Sequence, residues 1–465
     1  MGKIQYQPSL HPEFCKACGL CIEACPKHCI ELGKEIHPET GLVPVTIDLE
    51  DCNACGLCLA ACPEPHGLTA DTEQLPHAML PSAVPPGRPD SEAARDTPCS
   101  LPDQEAMALK GTHAAAVGAI LAGCRHFFGY PITPSTEGTE LMAKLLPKLG
   151  GVYTQAVSEV AAVNMIYGCG AAGTRSMTFT SSPGFSLMLE GISYMIGAEV
   201  PGVFVNVMRG GPGLGNIAPE QSDIKLACRG LGHGNTHAVV LAPASPQEML
   251  DLTRLAFDLS FKYRSPVIVA ADGLLGQITG RVQLPRTMVR PGLPEWSIRG
   301  DGDHRRNVIH SLHLREVELE RHNEKLSAKY QRMIQDEQRA EKWHCDDAEW
   351  ILVAANSPAM TARGAVARLR ANGIRAGLFR PITLWPFPVR ELTPLLEKAR
   401  GLVVVEASAG QLEDEMRLAL SHASRAVHPE NVPEIRSVRR QGGVLPNENE
   451  ILECVQMLRE VPTDA

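Results

Sequence analysis

The sequence predicts an α/β protein of several domains, preceded by a short unit built on cysteine. Three observations carry this expectation. Nine of the fifteen cysteines lie before residue 63. From about residue 106 to 285, apolar strand-like runs alternate with helical stretches, the pattern of a parallel, doubly wound sheet. The alternation returns in shorter form from residue 346. A chain of 465 residues has room for roughly two to four domains.

The composition excludes several classes. Hydrophobic residues at 44% and charged residues at 21% make an ordinary globular balance, not that of a disordered chain. A net charge of −9 speaks against a nucleic-acid partner. No stretch approaches the ~18–20 unbroken apolar residues of a membrane span, and MGKIQYQPSLHPEFC lacks the apolar core of a signal peptide. The expectation is a cytoplasmic protein with neither a membrane nor a nucleic-acid partner.

The elements follow in order. Residues 1–70 form the cysteine-dense unit. Residues 71–104 carry seven prolines and little apolar content, and read as a linker. In residues 105–285 the strand candidates are HFFGY (126–130), GVYTQAV (151–157), TRSMTFT (174–180), VPGVFVNVM (200–208), HAVVLAP (237–243) and SPVIVAAD (265–272). Residues 286–345 read as a connector ending in a charged helix, about 311–343. Its Leu312, Leu319, Leu326 and Met333 recur at sevens, but the positions three or four away are mostly polar. A coiled-coil seam needs both apolar positions of the heptad, so this reads as a single amphipathic helix. Residues 346–465 give a second, smaller α/β domain: EWILVAAN, a helix through 361–371, IRAGLFRPI, GLVVVEAS and a helix from 410.

The cysteines carry the first chemistry. Cys15-x-x-Cys18-x-x-Cys21-x-x-x-Cys25-Pro26 is followed by Cys52-x-x-Cys55-x-x-Cys58-x-x-x-Cys62-Pro63. Each is a bacterial ferredoxin run, in which three thiolates wrap one [4Fe–4S] cluster and the fourth crosses to the other. One cluster would take Cys15, Cys18, Cys21 and Cys62, and the second Cys52, Cys55, Cys58 and Cys25. A zinc site would show paired C-x-x-C units rather than two quartets ending in Cys-Pro. Cys29 reads as a packed thiol or an exposed spare, and Cys99, Cys124, Cys169, Cys228, Cys345 and Cys454 as core residues.

A second set of motifs lies in the α/β region. Gly129-Tyr130-Pro131-Ile132-Thr133-Pro134-Ser135 closely resembles the motif of 2-oxoacid:ferredoxin oxidoreductases, in the subunit that binds the pyrimidine of thiamine diphosphate. The likeness continues through QAVSEVAAVNMIYGCGAAG, SSPGFSLMLEGISYMIGAEVP, VNVMRGGPGLGN and PEQSD, and resumes at FRPITLWPFP (379–388). It covers nearly all of 105–465 and looks most like the α subunit of the 2-ketoisovalerate type. The fold it implies is a pyrimidine-binding doubly wound domain followed by a transketolase C-terminal-like α/β domain.

The resemblance also implies roles. Glu159 matches the glutamate that hydrogen-bonds the aminopyrimidine and favours the imino tautomer that activates the thiazolium carbon. Read alone, it is a solvated glutamate at a helix N-terminus. Tyr130, Pro131 and Ile132 match the segment lining the cofactor. Thr133 matches the threonine that contacts the substrate carboxylate; read alone, Thr133-Pro134 is a helix N-cap followed by proline. Arg209 matches the arginine that grips that carboxylate with its two-pronged guanidinium; the ordinary alternative is a surface ion pair. Gly213-Leu214-Gly215-Asn216-Ile217-Ala218 fits a dinucleotide-binding pattern, but Pro212 and Pro219 flank it and no acidic residue follows at about twenty positions. It reads as a tight turn keeping Arg209 accessible.

Some of the family's parts are missing. Gly300-Asp301-Gly302 follows no apolar strand and leads to no Asn-Asn, so it does not read as the diphosphate and Mg²⁺ motif. A β subunit, with a further cluster, would hold that half of the site, and a γ subunit would be another chain. Gly111-Thr112-His113 stands where the family has Gly-Asn. The resemblance implies a hetero-oligomer containing two or more copies. It would convert a 2-oxoacid and CoA to acyl-CoA and CO₂, with ferredoxin as electron acceptor, and the low-potential chain suits either direction. A branched-chain oxoacid such as 2-ketoisovalerate is favoured, with 2-oxoglutarate, pyruvate or an aryl oxoacid as alternatives. A non-catalytic electron-transfer adaptor is the rival from another class.

Overall fold

A computed structural model describes residues 7–38, 40–64, 67–70, 96–299, 304, 306–423 and 432–459. Residues 71–95 of the linker read at 71–104, and Gly300-Asp301-Gly302, lie outside the described residues. The chain divides into two compact units, Met1–Pro85 and Pro86–Ala465.

In the first unit, Pro8–Leu10 pairs antiparallel with Leu68–Ala70, and Ile30–Leu32 with Val45–Ile47. Two short helices, Leu20–Glu23 and Leu57–Ala61, each follow a glycine in the left-handed region, Gly19 (φ 76°) and Gly56 (φ 75°). Ala17 and Ala54, between the first two cysteines of each run, are left-handed as well (φ 55° and 53°). A side chain rarely tolerates that conformation, so its recurrence at matching positions marks one backbone wrap used twice. The small core is mostly sulfur: Cys21, Cys25, Cys29 and Cys58 are buried with Ile30, Val45 and Leu68.

The second unit holds two sheets. The larger has seven strands in the order Thr383–Trp385, Val239–Leu241, Pro266–Asp272, Gly202–Met208, Ser176–Thr180, His126–Gly129, Val152–Gln155. All neighbours are parallel except the edge strand Thr383–Trp385. Each of the six expected segments contains one of its strands. Gly202–Met208 and Pro266–Asp272 are buried along their whole length; a central parallel strand is covered on both faces and so reads as a continuous apolar run. The smaller sheet runs Ala340–Trp343, Ala376–Pro381, Trp350–Ala354, Gly401–Glu406, Glu434–Arg439, parallel except for its first strand.

Four sequence readings shift. Thr97–Ser100, inside the expected linker, is a strand paired with Thr287–Arg290, and buried Arg175 binds Asp96 beside it. The charged helix runs only Glu316–Asp336; Leu312 is exposed and outside it, while Leu326, Lys329, Tyr330 and Met333 form its buried face. Residues 340–343 leave the helical pattern to pair with Ala376–Pro381. Thr383–Trp385, read as part of the second domain, joins the larger sheet.

The two sheets share one continuous apolar core, and buried polar pairs stitch them together. Ser357 donates from its backbone N–H (2.8 Å) and its hydroxyl (2.7 Å) to Asp272, and Asn356 Nδ2 donates to the carbonyls of Ala270 and Pro243. Arg380 spans Glu248 and Glu341.

The charged helix docks through Glu199, which binds Lys325 and Lys329. Burial pushes the Glu199 carboxyl up, but the two lysines outweigh it and bring it down to about 2. A depressed carboxylate adds stability above its ordinary value of 4.5, and loses it as pH falls towards 2. The melting-temperature gap between the wild type and Glu199→Gln should therefore be constant above pH 4.5 and narrow below it. A gap independent of pH would show that the pair does not hold the helix.

Candidate functional site

The first unit sorts its cysteines into two cavities. One is lined by Cys15, Cys18, Cys21 and Cys62, the other by Cys25, Cys52, Cys55 and Cys58 together with Cys29. These are the crossed quartets that the spacing predicts. Among the described residues no three Cys, His, Asp or Glu side chains gather closely enough for a single metal ion; each quartet rings a space instead, as a multi-iron cube requires. The electrostatics agree. Burial pushes the Cys21 thiol up, and Cys62, Cys15 and Cys18 add to the shift. Four thiolates this close would need a cation among them, which an iron cluster held by these cysteines would supply. Burial also pushes Cys25 up, but the backbone N–H and thiol of Cys29 and the N–H groups of Lys27 and His28 outweigh it and lower the pKa.

Cys29 is not an exposed spare but a packed thiol of the small core. It is buried, and its Sγ lies 3.4 Å from Cys25 Sγ. Burial and its cysteine neighbours push it up to about 12.

In the second unit the candidate residues gather at the carboxyl ends of adjacent parallel strands. The connection from His126–Gly129 runs outward to Val152–Gln155, whereas Ser176–Thr180 lies on the other side. Open α/β sheets bind ligands at such a reversal. Tyr130, Pro131, Ile132 and Thr133 follow His126–Gly129; Tyr130, Pro131 and Thr133 are exposed and Ile132 is half-buried. Glu159 follows Val152–Gln155, and Ser181 and Ser182 follow Ser176–Thr180. Arg209 follows Gly202–Met208.

Glu159 is the first residue of the helix Glu159–Ala171, whose N-cap Ser158 accepts from Ala161 N–H at 3.3 Å. It is 4% exposed, so it is not the solvated helix-terminal glutamate of the simpler reading. Among the described residues no donor pairs with its carboxylate. Gly184 leaves it space: a Cβ there would lie 2.5 Å from both Glu159 Oε1 and Thr180 Oγ1. Thr180 Oγ1 and the neighbouring Ser181 Oγ are buried without hydrogen-bond partners in the structure. Buried polar atoms are normally satisfied, so a carboxylate and two hydroxyls left unspent beside a cradle fit a polar ring such as an aminopyrimidine.

Arg209 is 7% exposed. Its Nη1 donates to the Thr133 carbonyl at 2.7 Å and its Nη2 to the Leu214 carbonyl at 3.3 Å, while Nε is buried and unpartnered. The structure thus brings Arg209 and Thr133 together and excludes a surface ion pair. The Gly213–Ala218 segment covers the arginine rather than keeping it accessible. Gly215 is left-handed (φ 56°), and a Cβ there would meet the Gly210 carbonyl at 1.8 Å, so the chain doubles back and leads into no nucleotide-binding helix. Thr133 is not an N-cap either. The helix begins at Thr136, and Ser135 at the cap position donates its hydroxyl back to the Ile132 carbonyl (2.7 Å), closing a turn ahead of the helix. Thr112, in the Gly-Thr-His departure, is fully buried and spends its hydroxyl on the Gly276 carbonyl.

The segment PEQSD (219–223) frames the Arg209 loop. Glu220 accepts from Gly211 N–H (3.0 Å), and Ser222 Oγ donates to the Arg209 carbonyl (2.9 Å). Asp223 accepts from Ser182 Oγ (2.6 Å) and Asn206 Nδ2 (2.9 Å), and Ser182 Oγ in turn accepts from Arg209 N–H. Burial pushes the Asp223 carboxyl up, against the pull of those two donors. Gln221 bonds Ala355, Asn356 and Ala407 in the smaller layer. These roles left no sequence signal beyond the motif, because each partner sits on a different segment.

Known proteins align with these parts. A model described as pyruvate flavodoxin/ferredoxin oxidoreductase, thiamine diphosphate-binding, matches residues 117–342. One for pyruvate:ferredoxin oxidoreductase core domain II matches 348–451, and a 4Fe-4S dicluster domain matches 14–65. Ketoisovalerate oxidoreductase subunit VorB of Methanothermobacter thermautotrophicus is 43% identical over 359 residues, covering 77% of this chain and 98% of the relative. 2-Oxoglutarate synthase subunit KorA of Methanocaldococcus jannaschii is 36% identical, covering 69% and 93%. A solved 2-oxoglutarate:ferredoxin oxidoreductase from Magnetococcus marinus, with 2-oxoglutarate, coenzyme A and succinyl-CoA bound, superposes with a TM-score of 0.65 at 27% identity; 76% of this chain spans 65% of that one. No described helix is long and apolar enough to cross a membrane. The family models and the relatives agree: this chain belongs to the 2-oxoacid:ferredoxin oxidoreductases, as an α-type subunit with its own two-[4Fe–4S] domain, and it works with partner subunits.

Proposed function

We propose that the chain supplies the pyrimidine-facing half of an active site for CoA-dependent oxidative decarboxylation of a branched-chain 2-oxoacid, and passes the electrons through its two clusters to ferredoxin. The observation that carries this is the buried Glu159 carboxylate, unspent beside Thr180 and Ser181. Thiamine diphosphate, when bound, supplies the electron sink for decarboxylation. Glu159 holds or accepts a proton at its carboxylate oxygens, in a cradle shielded from water. The Arg209 guanidinium keeps the Thr133 loop in place, and its unspent Nε–H with the Thr133 hydroxyl offers two donors for a substrate carboxylate. Tyr130, Pro131 and Ile132 supply the wall.

A β subunit holds the diphosphate and Mg²⁺ and carries a further cluster; γ completes a hetero-oligomer containing two or more copies. Exposed apolar residues in the segments that follow these strands support a covering partner: Val157 (88% exposed) and Leu214 (83%), with Ile217 and Leu187. The branched-chain preference rests on the higher identity to ketoisovalerate relatives (43% and 42%) than to 2-oxoglutarate relatives (36% and 34%).

The test is viologen reduction by the complex purified anaerobically, across a panel of 2-oxoacids, with and without CoA. CoA-dependent activity with 2-ketoisovalerate ranking first in kcat/KM is expected. Another oxoacid ranking first would replace the substrate. No turnover of any oxoacid, with clusters and partners present, would make the chain an electron-transfer adaptor.

A further inference from the structure

The two cluster cavities differ in one respect. The first is lined by four sulfurs and the second by five. The extra one is Cys29, four residues beyond Cys25; four residues beyond Cys62 the sequence has His66. Cys29 is as buried as Cys25 and Cys58, the two buried ligands around it (7% exposed, against 6% and 7%). Its Sγ is 3.4 Å from Cys25 Sγ. Its backbone is fixed where the strand Ile30–Leu32 begins, with its carbonyl accepting from Asp48 N–H at 2.8 Å. A thiol held this firmly against a ligand sulfur and facing the same space can reach the same iron.

We propose that Cys29 is a second, exchangeable thiolate ligand for the iron corner of the second cluster that Cys25 otherwise holds. In the exchange the Cys25 S–Fe bond breaks and a Cys29 S–Fe bond forms. The Cys29 proton passes to Cys25 across their contact, so no charge is gained and no electron moves. Only the thiolate binds iron, and the proton donor and acceptor are already neighbours. Among the described residues the first cavity has no fifth sulfur, so the two clusters should differ in tolerance to loss of their crossing cysteine. The inference rests on the crossed quartets, and Cys62→Ala tests that footing separately.

The experiment compares iron and sulfide content, and the low-temperature EPR spectrum of the dithionite-reduced complex, in Cys25→Ala, Cys62→Ala, Cys29→Ala and Cys25→Ala/Cys29→Ala. Cys25→Ala is expected to keep wild-type iron, with a changed spectrum for one cluster. The double variant is expected to lose one cluster's worth, as is Cys62→Ala. Cys25→Ala losing as much as the double variant would overturn the proposal. Cys62→Ala keeping full iron would instead overturn the crossed assignment. Should Cys25→Ala give no soluble complex, the rate of iron release from Cys29→Ala to a chelator decides. A release several-fold faster than wild type supports a reserve ligand, and an unchanged rate overturns it.

Discussion

Glu159→Gln is expected to lower kcat of the assembled complex by roughly 10²–10⁴-fold, the range in which a positioned acid–base group contributes, without loss of iron. The substitution changes one oxygen to an amide nitrogen and so keeps the volume of the cradle between Gly184 and Thr180. It removes the group's ability to hold a proton in exchange with a bound ring. Its structural cost is small, because losing a charge at the first position of a helix costs about 0.3–1 kcal/mol. Two readouts separate chemistry from damage: oxoacid-dependent viologen reduction should collapse, while dithionite should still reduce both clusters. Glu159→Asp draws the carboxylate back by one methylene and should fall between the two. Wild-type kcat in Glu159→Gln would remove Glu159 from the reaction and leave the unspent Thr180 and Ser181 hydroxyls without a purpose.

What the sequence reveals depends on how local the cause is. The cysteine quartets are legible because spacing alone dictates which thiolates can share a cube, and the proline after each run turns the fourth away. The central strands of the larger sheet, Gly202–Met208 and Pro266–Asp272, are legible because a strand buried on both faces is mostly apolar. Pairing between distant segments is not. Ala340–Trp343 continues a charged helical pattern in sequence, yet its backbone completes the edge beside Ala376–Pro381. Thr383–Trp385 follows directly on a strand of the smaller sheet and crosses to the larger one. The same limit governs the site. Glu159, Thr133 and Arg209 stand out by resemblance, but that Arg209 is spent partly on the Thr133 carbonyl, and that Glu220, Ser222 and Asp223 frame it, depends on contacts between separate loops. Cys29 is the sharpest case: lying three residues past the end of its run, it is indistinguishable from a core thiol until its sulfur is found against Cys25.

Arg209→Ala should raise KM and lower kcat together, reducing kcat/KM by about 10²-fold or more. The size follows from what is lost. A hydrogen bond to a charged group is worth about 1.5–3 kcal/mol, and a buried acceptor left unsatisfied costs about 1–3 kcal/mol. Here the Thr133 and Leu214 carbonyls both lose their donor. Each 1.36 kcal/mol is tenfold in rate, so even a part of this expressed at the transition state gives the expected loss. Arg209→Lys separates the two functions assigned to the side chain. A lysine keeps the charge for a substrate carboxylate, but its single ammonium lacks the fork that spans two carbonyls. If the charge is what the substrate feels, Arg209→Lys should recover most of KM while kcat stays low, because the loop carrying Thr133 is no longer pinned. If Arg209 serves only as that pin, both variants should lose kcat and thermal stability with KM at the wild-type value. An alanine variant with both constants unchanged would mean that neither role is real, and that the five residues of PEQSD hold the loop without it.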